Sequence, residues 1–316
     1  MEFFKRKTNI DFLGIRKWTG LISLVLVIAS LVCVFTKGLN WGLDFTGGYA
    51  FEVQYPTPPS LVHIRQQLHQ ADISHADVIT FGSTRDVRIT LEPQKSEKLQ
   101  AVSVNHQTEQ AKLQQKVQQL LGSKAHIMSV NYTGPEVGKE LAQLGMLAML
   151  VAVLATMIYI SMRFEMRFAI SSAVALAHDP IIILGIFSLL QIRFDLTALA
   201  AVLAVIGYSL NDTVVIYDRV RENFRKLRKA PVTEVVNRAV NDTLSRTVMT
   251  SGLTLLVVVV LYFWGGPSIH GFSLALIIGV VVGTYSSIYV AGALAVMLGL
   301  DRNALVPQPK QTDGRP

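Results

Sequence analysis

Four ionisable side chains stand where the sequence is otherwise oil. His178 and Asp179 precede Pro180 inside one apolar run, Asp212 lies inside a second, and Arg246 opens a third. A charged group at the centre of a spanning helix costs about 2.5–3.5 kcal/mol on insertion scales, so each is a functional hypothesis. Desolvation favours the neutral form of a carboxyl, whereas a nearby guanidinium favours the charged form. A carboxylate poised between the two can load and release a proton as water access changes. Asp212 sits in Gly207-Tyr208-Ser209-Leu210-Asn211-Asp212-Thr213, where Ser209, Asp212 and Thr213 share a helix face. Arg246 is followed by a stripe of Thr247, Thr250, Ser251 and Thr254 at helical spacing. The plainer reading is that these groups only glue helices together. It suits the Ser and Thr residues better than Asp212, because asparagine would glue as well without an ionisable group. Asp179 is a second intramembrane carboxylate. Pro180 beside it removes a helix hydrogen bond and predicts a kink.

Six apolar runs must position these residues. They are Trp18 to Phe35, Leu141 to Ser161, Phe168 to Leu190, Leu196 to Tyr217, Val248 to Trp264 and Phe272 to Leu300. Each reaches or nearly reaches the length that crosses about 30 Å of hydrocarbon. The chain is 51% hydrophobic and only 16% charged, against roughly 25% charge in soluble domains. The first run follows Lys5, Arg6, Lys7, Arg16 and Lys17 like a secretory signal. It is long for one, and Val34-Phe35-Thr36-Lys37 is a poor cleavage site, so an uncleaved anchor is expected. With residues 1–17 inside, the inside segments hold 5, 2, 8 and 3 Lys or Arg. The two short outside loops hold one, Arg193. That asymmetry predicts both termini in the cytoplasm. Asp218 to Ser245 alternates basic residues with Val235, Val236, Ala239 and Val240, and predicts an amphipathic helix lying on the membrane surface. The net charge of +7 clusters beside the apolar runs as a topology signal, which argues against nucleic acid as a partner.

The expected organisation is an N-terminus over 1–17, a first span over 18–37, an outside domain over 38–138, and five spans over 139–300. A basic loop covers 218–246 and a tail 301–316. In the outside domain, Phe51 to Tyr55 alternates as a strand and Pro58-Pro59-Ser60 opens a helix. Two strands, Val78 to Phe81 and Val87 to Leu91, flank a Gly-Ser-Thr turn. A Gln- and Lys-rich helix runs from about Gln100 to Leu121, and His126 to Tyr132 is the last strand. The order β-α-β-β-α-β predicts an α+β ferredoxin-like fold on a six-helix membrane protein. His63, His69, His75, His106 and His126 are scattered, and Cys33 is alone in an apolar run, so neither a metal site nor a disulfide is expected. No nucleophile elbow or phosphate loop is legible, which predicts a non-enzyme without a cofactor. Work would then draw on the membrane potential and proton gradient. Gly279-x-x-x-Gly283 is a helix-contact signal.

Several motifs together resemble the SecD/SecF family of protein-export membrane proteins. Gly42-Leu43-Asp44-Phe45-Thr46-Gly47-Gly48 follows the first span, and Gly134-Pro135-Glu136-Val137-Gly138 opens the second. His178-Asp179-Pro180, the Gly207 to Thr213 segment with Asp218-Arg219-Val220-Arg221-Glu222, and Ser245-Arg246-Thr247 complete the set in order. The resemblance covers nearly the whole chain and implies an RND-type half, of the smaller F type, in the bacterial inner membrane. It implies pairing with SecD, association with the SecYEG channel and YajC, and proton-driven help to preproteins. By the same resemblance, Asp212 and Arg246, with Asp179, Asn211 and Thr247, belong to the proton pathway. The residues alone leave another reading open, an RND-type proton-coupled carrier of a small molecule or lipid.

Overall fold

A computed structural model describes residues 8–71, 73, 76–81, 83–91, 106–122 and 125–300. Lys5, Arg6, Lys7, His75, residues 100–105 of the expected Gln-rich helix, the side chain of His106 and the tail 301–316 lie outside the described residues.

Helix α1 (Arg16–Lys37) is the first span and leads into β1 (Asn40–Trp41) and the one-turn helix α2 (Leu43–Thr46). A sheet domain follows, built from β2 (Gly48–Gln54), α3 (Leu61–Gln70), β3 (Ala76–Phe81), β4 (Ser83–Leu91), α4 (His106–Leu121) and β5 (His126–Thr133). The remaining spans are α5 (Pro135–Arg163), α6 (Met166–Leu190), α7 (Leu196–Lys226) and α8 (Val232–Trp264), with β6 (Arg193–Phe194) between α6 and α7. The last span combines α9 (His270–Tyr285), a π-helical segment over Ser286–Ala291 and α10 (Gly292–Met297). Six helices, counting this composite as one, are long and apolar enough to cross a membrane.

The sheet order is β3-β4-β2-β5, with every neighbour antiparallel. That is the ferredoxin-like arrangement the element order predicts. Alternation places Phe51 and Val53 under the helices with Val78, Val87, Ile89, Ile64, Leu68 and Val117, all at most 3% exposed. Glu52 points to the other face. There it accepts hydrogen bonds from its cross-strand neighbours Arg88 at 2.8 Å and Ser129 at 2.8 Å.

The joint between sheet domain and bundle is built from the two glycine motifs. Asp44 Oδ2 accepts from the Leu196 N–H at 2.9 Å, and Asp195 accepts from Ala198 N–H at 2.8 Å. Two carboxylates thus cap the N-terminus of α7, where free N–H groups and the helix dipole favour negative charge. Gly47 has φ 74°, and a Cβ there would lie 2.8 Å from Pro135 N. A Cβ on Gly138 would lie 2.6 Å from the Phe45 carbonyl. Gly42, Gly47 and Gly138 therefore let α2 sit against the starts of α7 and α5 at backbone distance, and Gly48 lets the next strand approach the Leu91 carbonyl of β4. Gly134 precedes Pro135 at the first turn of α5, a position that suits proline. Arg193 and Asp77 close a 2.5 Å ion pair between the α6–α7 connection and β3.

At the opposite end the structure departs from expectation. The basic segment after Asp218 is not a helix lying on lipid. Helix α7 runs on to Lys226, and α8 starts at Val232 and continues without a break into the fifth span. Val235, Val236, Ala239 and Val240 are buried in one core with Phe12, Leu13, Tyr217 and Phe224. The apolar stripe is used up by protein, so it is not available to lipid. The chain before α1 is clamped there too. Asn237 Oδ1 accepts from Phe12 N–H and Asn241 Oδ1 from Ile10 N–H, each at 2.8 Å.

Candidate intramembrane site

Helix α6 remains continuous through Pro180 and carries His178 and Asp179 into the bundle. Asp179 is 0% exposed and has partners on both oxygens. Oδ1 lies 2.9 Å from His178 Nδ1, while Oδ2 accepts from Ser209 at 2.7 Å and from Ser286 at 3.0 Å. It thereby ties α6 to α7 and to the last span. The π-helical segment makes this possible, since the consecutive Ser286 and Ser287 both enter the same layer. Ser287 donates to the Ser209 carbonyl and lies 2.9 Å from Thr213 Oγ1. Next to it, Tyr208 donates to Ser251, whose hydroxyl lies 2.7 Å from Thr284. Gly279 and Gly283 admit α7 closely: a Cβ on Gly279 would lie 2.1 Å from Val205, and one on Gly283 3.1 Å from Ser209.

Asp212 is different. It is 2% exposed, and its Oδ2 has no hydrogen-bond partner among the described residues. The Arg246 guanidinium acts on this carboxylate electrostatically without bonding that oxygen. At 1.5 Å per residue, Asp212 lies about 24 Å along α7 from Leu196, and Arg246 about 27 Å along α8 from Trp264, the same end of the bundle. The two are therefore level in depth. Thr247, one residue on, is buried and its Oγ1 also has no partner. Among the described residues four buried side-chain polar atoms lack partners, and three belong to His178, Asp212 and Thr247. Native interiors pair almost all such atoms, so three on residues chosen for their chemistry mark a site.

Asn211 and Gly207 are not brought into this interior. Both face outward on α7, and a Cβ at Gly207 would meet nothing within 4 Å. Ser286, Ser287 and Thr284 went unnoticed in the sequence. They are unremarkable small polar residues in an apolar run, and the roles of Ser286 and Ser287 depend on the local widening of the helix. Among the described residues no group of His, Cys, Asp or Glu could hold a metal ion.

Two family descriptions match the chain. "Protein export membrane protein SecD/SecF, C-terminal" covers residues 112–301, and "SecD/SecF GG Motif" covers residues 34–58. The chain belongs to the SecD/SecF family. Relatives named protein translocase subunit SecF include one from Vibrio alginolyticus, 44% identical over 99% of this chain and 97% of its own. Another, from Pseudomonas aeruginosa, is 45% identical over 98% of each chain. The crystal structure of SecDF, a translocon-associated membrane protein from Thermus thermophilus, matches with a TM-score of 0.78 at 34% identity. SecDF in a super-membrane-facing form matches at 0.71. Each match covers 94% of this chain and 39% of the SecDF chain, so this SecD/SecF member spans about two fifths of those structures. The second family match encloses the α2 joint, which gives the motif's glycines a steric meaning.

Proposed function

We propose that the chain is the SecF-type subunit of a SecDF assembly in the bacterial inner membrane, helping preproteins leave the SecYEG channel at the expense of the proton motive force. In this reading both termini are cytoplasmic, the sheet domain is periplasmic, SecD is the direct partner, and YajC and the preprotein are further contacts. The chain acts as a transducer and not as an enzyme. The observation that supports it best is the buried, unpartnered Oδ2 of Asp212 level with Arg246. That oxygen is free to take a proton, and the guanidinium compensates the charge when it leaves. One charge crossing 100 mV supplies about 2.3 kcal/mol, and one pH unit adds about 1.4 kcal/mol per proton. A few protons per cycle bias a two-state domain motion by several kcal/mol, enough to reverse its population. Asn211 and Gly207, open on the outer face of α7, suit contact with a second half.

Asp212→Asn tests this directly. The variant inserts and binds its SecD partner normally, yet spheroplasts carrying it lose proton-dependent release of secreted protein. Normal release would remove Asp212 from the mechanism.

A further inference from the structure

We infer that one anionic phospholipid occupies a groove between α1, α6 and the last span, with its phosphate at Arg16 and Lys17. The groove measures about 830 Å³ and includes Arg16, Lys17, Gly20, Val27, His178 and Leu294 among its lining residues. That size falls in the usual range of small-molecule pockets, roughly 300–1,000 Å³. Its composition changes along its length. Both cations lie at the start of α1, and below them the walls are almost wholly aliphatic and aromatic. Neither Arg16 nor Lys17 takes part in an ion pair among the described residues. Among the described residues the mouth is thus positively charged with no carboxylate paired to it. Basic pockets between spanning helices suit phosphate head groups.

The depth fits a lipid of one leaflet. Arg16 to Val27 is about 16 Å along the helix, close to half of the roughly 30 Å hydrocarbon. A phosphate at the mouth therefore brings an acyl chain to the floor. Near the floor lie His178 and Ile181, and His178 Nδ1 is 2.9 Å from Asp179 Oδ1. The chain would lie over the imidazole and shut water out from that flank of the Asp179 layer. Gly20 lines the groove, and a Cβ there would meet nothing within 4 Å. The first carbon of a larger residue at 20 is therefore accommodated, and its side chain starts from the wall of the groove.

Native mass spectrometry of the full chain in detergent, with phosphatidylglycerol or phosphatidylcholine added, reads the site. Wild type holds one phosphatidylglycerol at least tenfold more tightly than phosphatidylcholine. The double variant Arg16→Gln/Lys17→Gln loses the preference, by roughly thirtyfold for two cations near a membrane surface. Gly20→Trp binds neither lipid while melting as wild type does. If Gly20→Trp does not fold, Gly20→Leu serves in its place and weakens both lipids alike. Equal retention of the two lipids by wild type overturns the assignment. So does undiminished binding in the filled-groove variant, or an isoprenoid quinone held where the phospholipid should be.

Discussion

Asp179 and Asp212 are both buried carboxylates, in neighbouring helices of one bundle, and the bundle treats them in opposite ways. Asp179 has a donor on each side from three elements: His178 on its own helix, Ser209 on α7 and Ser286 on the last span. Among the described residues Asp212 keeps one oxygen without a partner, with Arg246 level with it on α8. The partners of Asp179 tie three elements to one another, whereas the free oxygen of Asp212 ties it to none. Burial alone therefore does not tell the two carboxylates apart; the number of fixed partners does.

The strongest way to break this comparison is to neutralise each carboxylate in turn. Asp212→Asn is expected to abolish proton-dependent export and leave stability within about 1 kcal/mol of wild type, since no fixed hydrogen bond to Oδ2 is lost. Asp179→Ala is expected to destabilise the bundle by about 2–4 kcal/mol. It strands the Ser209 hydroxyl and the His178 imidazole at about 1–3 kcal/mol each at most, less where the membrane lets them find other partners, while Ser286 keeps the Gly283 carbonyl. Unfolding in mixed micelles by increasing SDS measures both. Equal stability losses in the two variants would erase the distinction.

The spans, the sheet topology and the ionisable residues were legible because each has a one-dimensional signature. Hydrophobic length marks a span, period-two alternation marks Phe51 and Val53, and a charge in oil marks Asp212. The donor count around Asp179 was not legible. It depends on a π-helical turn that brings Ser286 and Ser287 into one layer, and on Gly279 and Gly283 letting α7 approach. The fate of Val235, Val236, Ala239 and Val240 was misread for a related reason. An amphipathic stripe shows that a partner exists but not whether the partner is lipid or protein. Here Phe12 and Leu13, folded back before the first span, help cover it.

The joint sharpens the comparison from another side, because its carboxylate, Asp44, is also held by a fixed donor, the Leu196 N–H, but one that links the α2 joint to the bundle. Gly138→Val tests how tightly. A Cβ at 2.6 Å from the Phe45 carbonyl must push α2 off α5, and such overpacking costs about 1–3 kcal/mol. Proteolysis between Gly42 and Gly48 should quicken in this variant, with the sheet core intact. An unchanged cleavage rate would mean that α2 is not clamped by α5.

Glu52 supplies the smallest effect and the control in water. It has two bonded partners where Asp179 has three, and its side chain and that of Arg88 are 27% and 30% exposed. The hydrogen bond from Arg88, then that from Ser129, holds its pKa below the ordinary 4.5. A depressed folded-state pKa stabilises the domain fully above the unfolded value and loses that contribution as pH falls through the folded one. The sheet domain should therefore weaken below about pH 4.5, and Glu52→Gln should flatten that part of the profile. The pair is worth at most about 1 kcal/mol, as partly exposed ion pairs are. Calorimetry of the full chain at several pH values, at low and high salt, reads both the slope and its screening. A profile insensitive to Glu52→Gln would show that two donors within reach of solvent fix a carboxylate far less firmly than the donors that enclose Asp179.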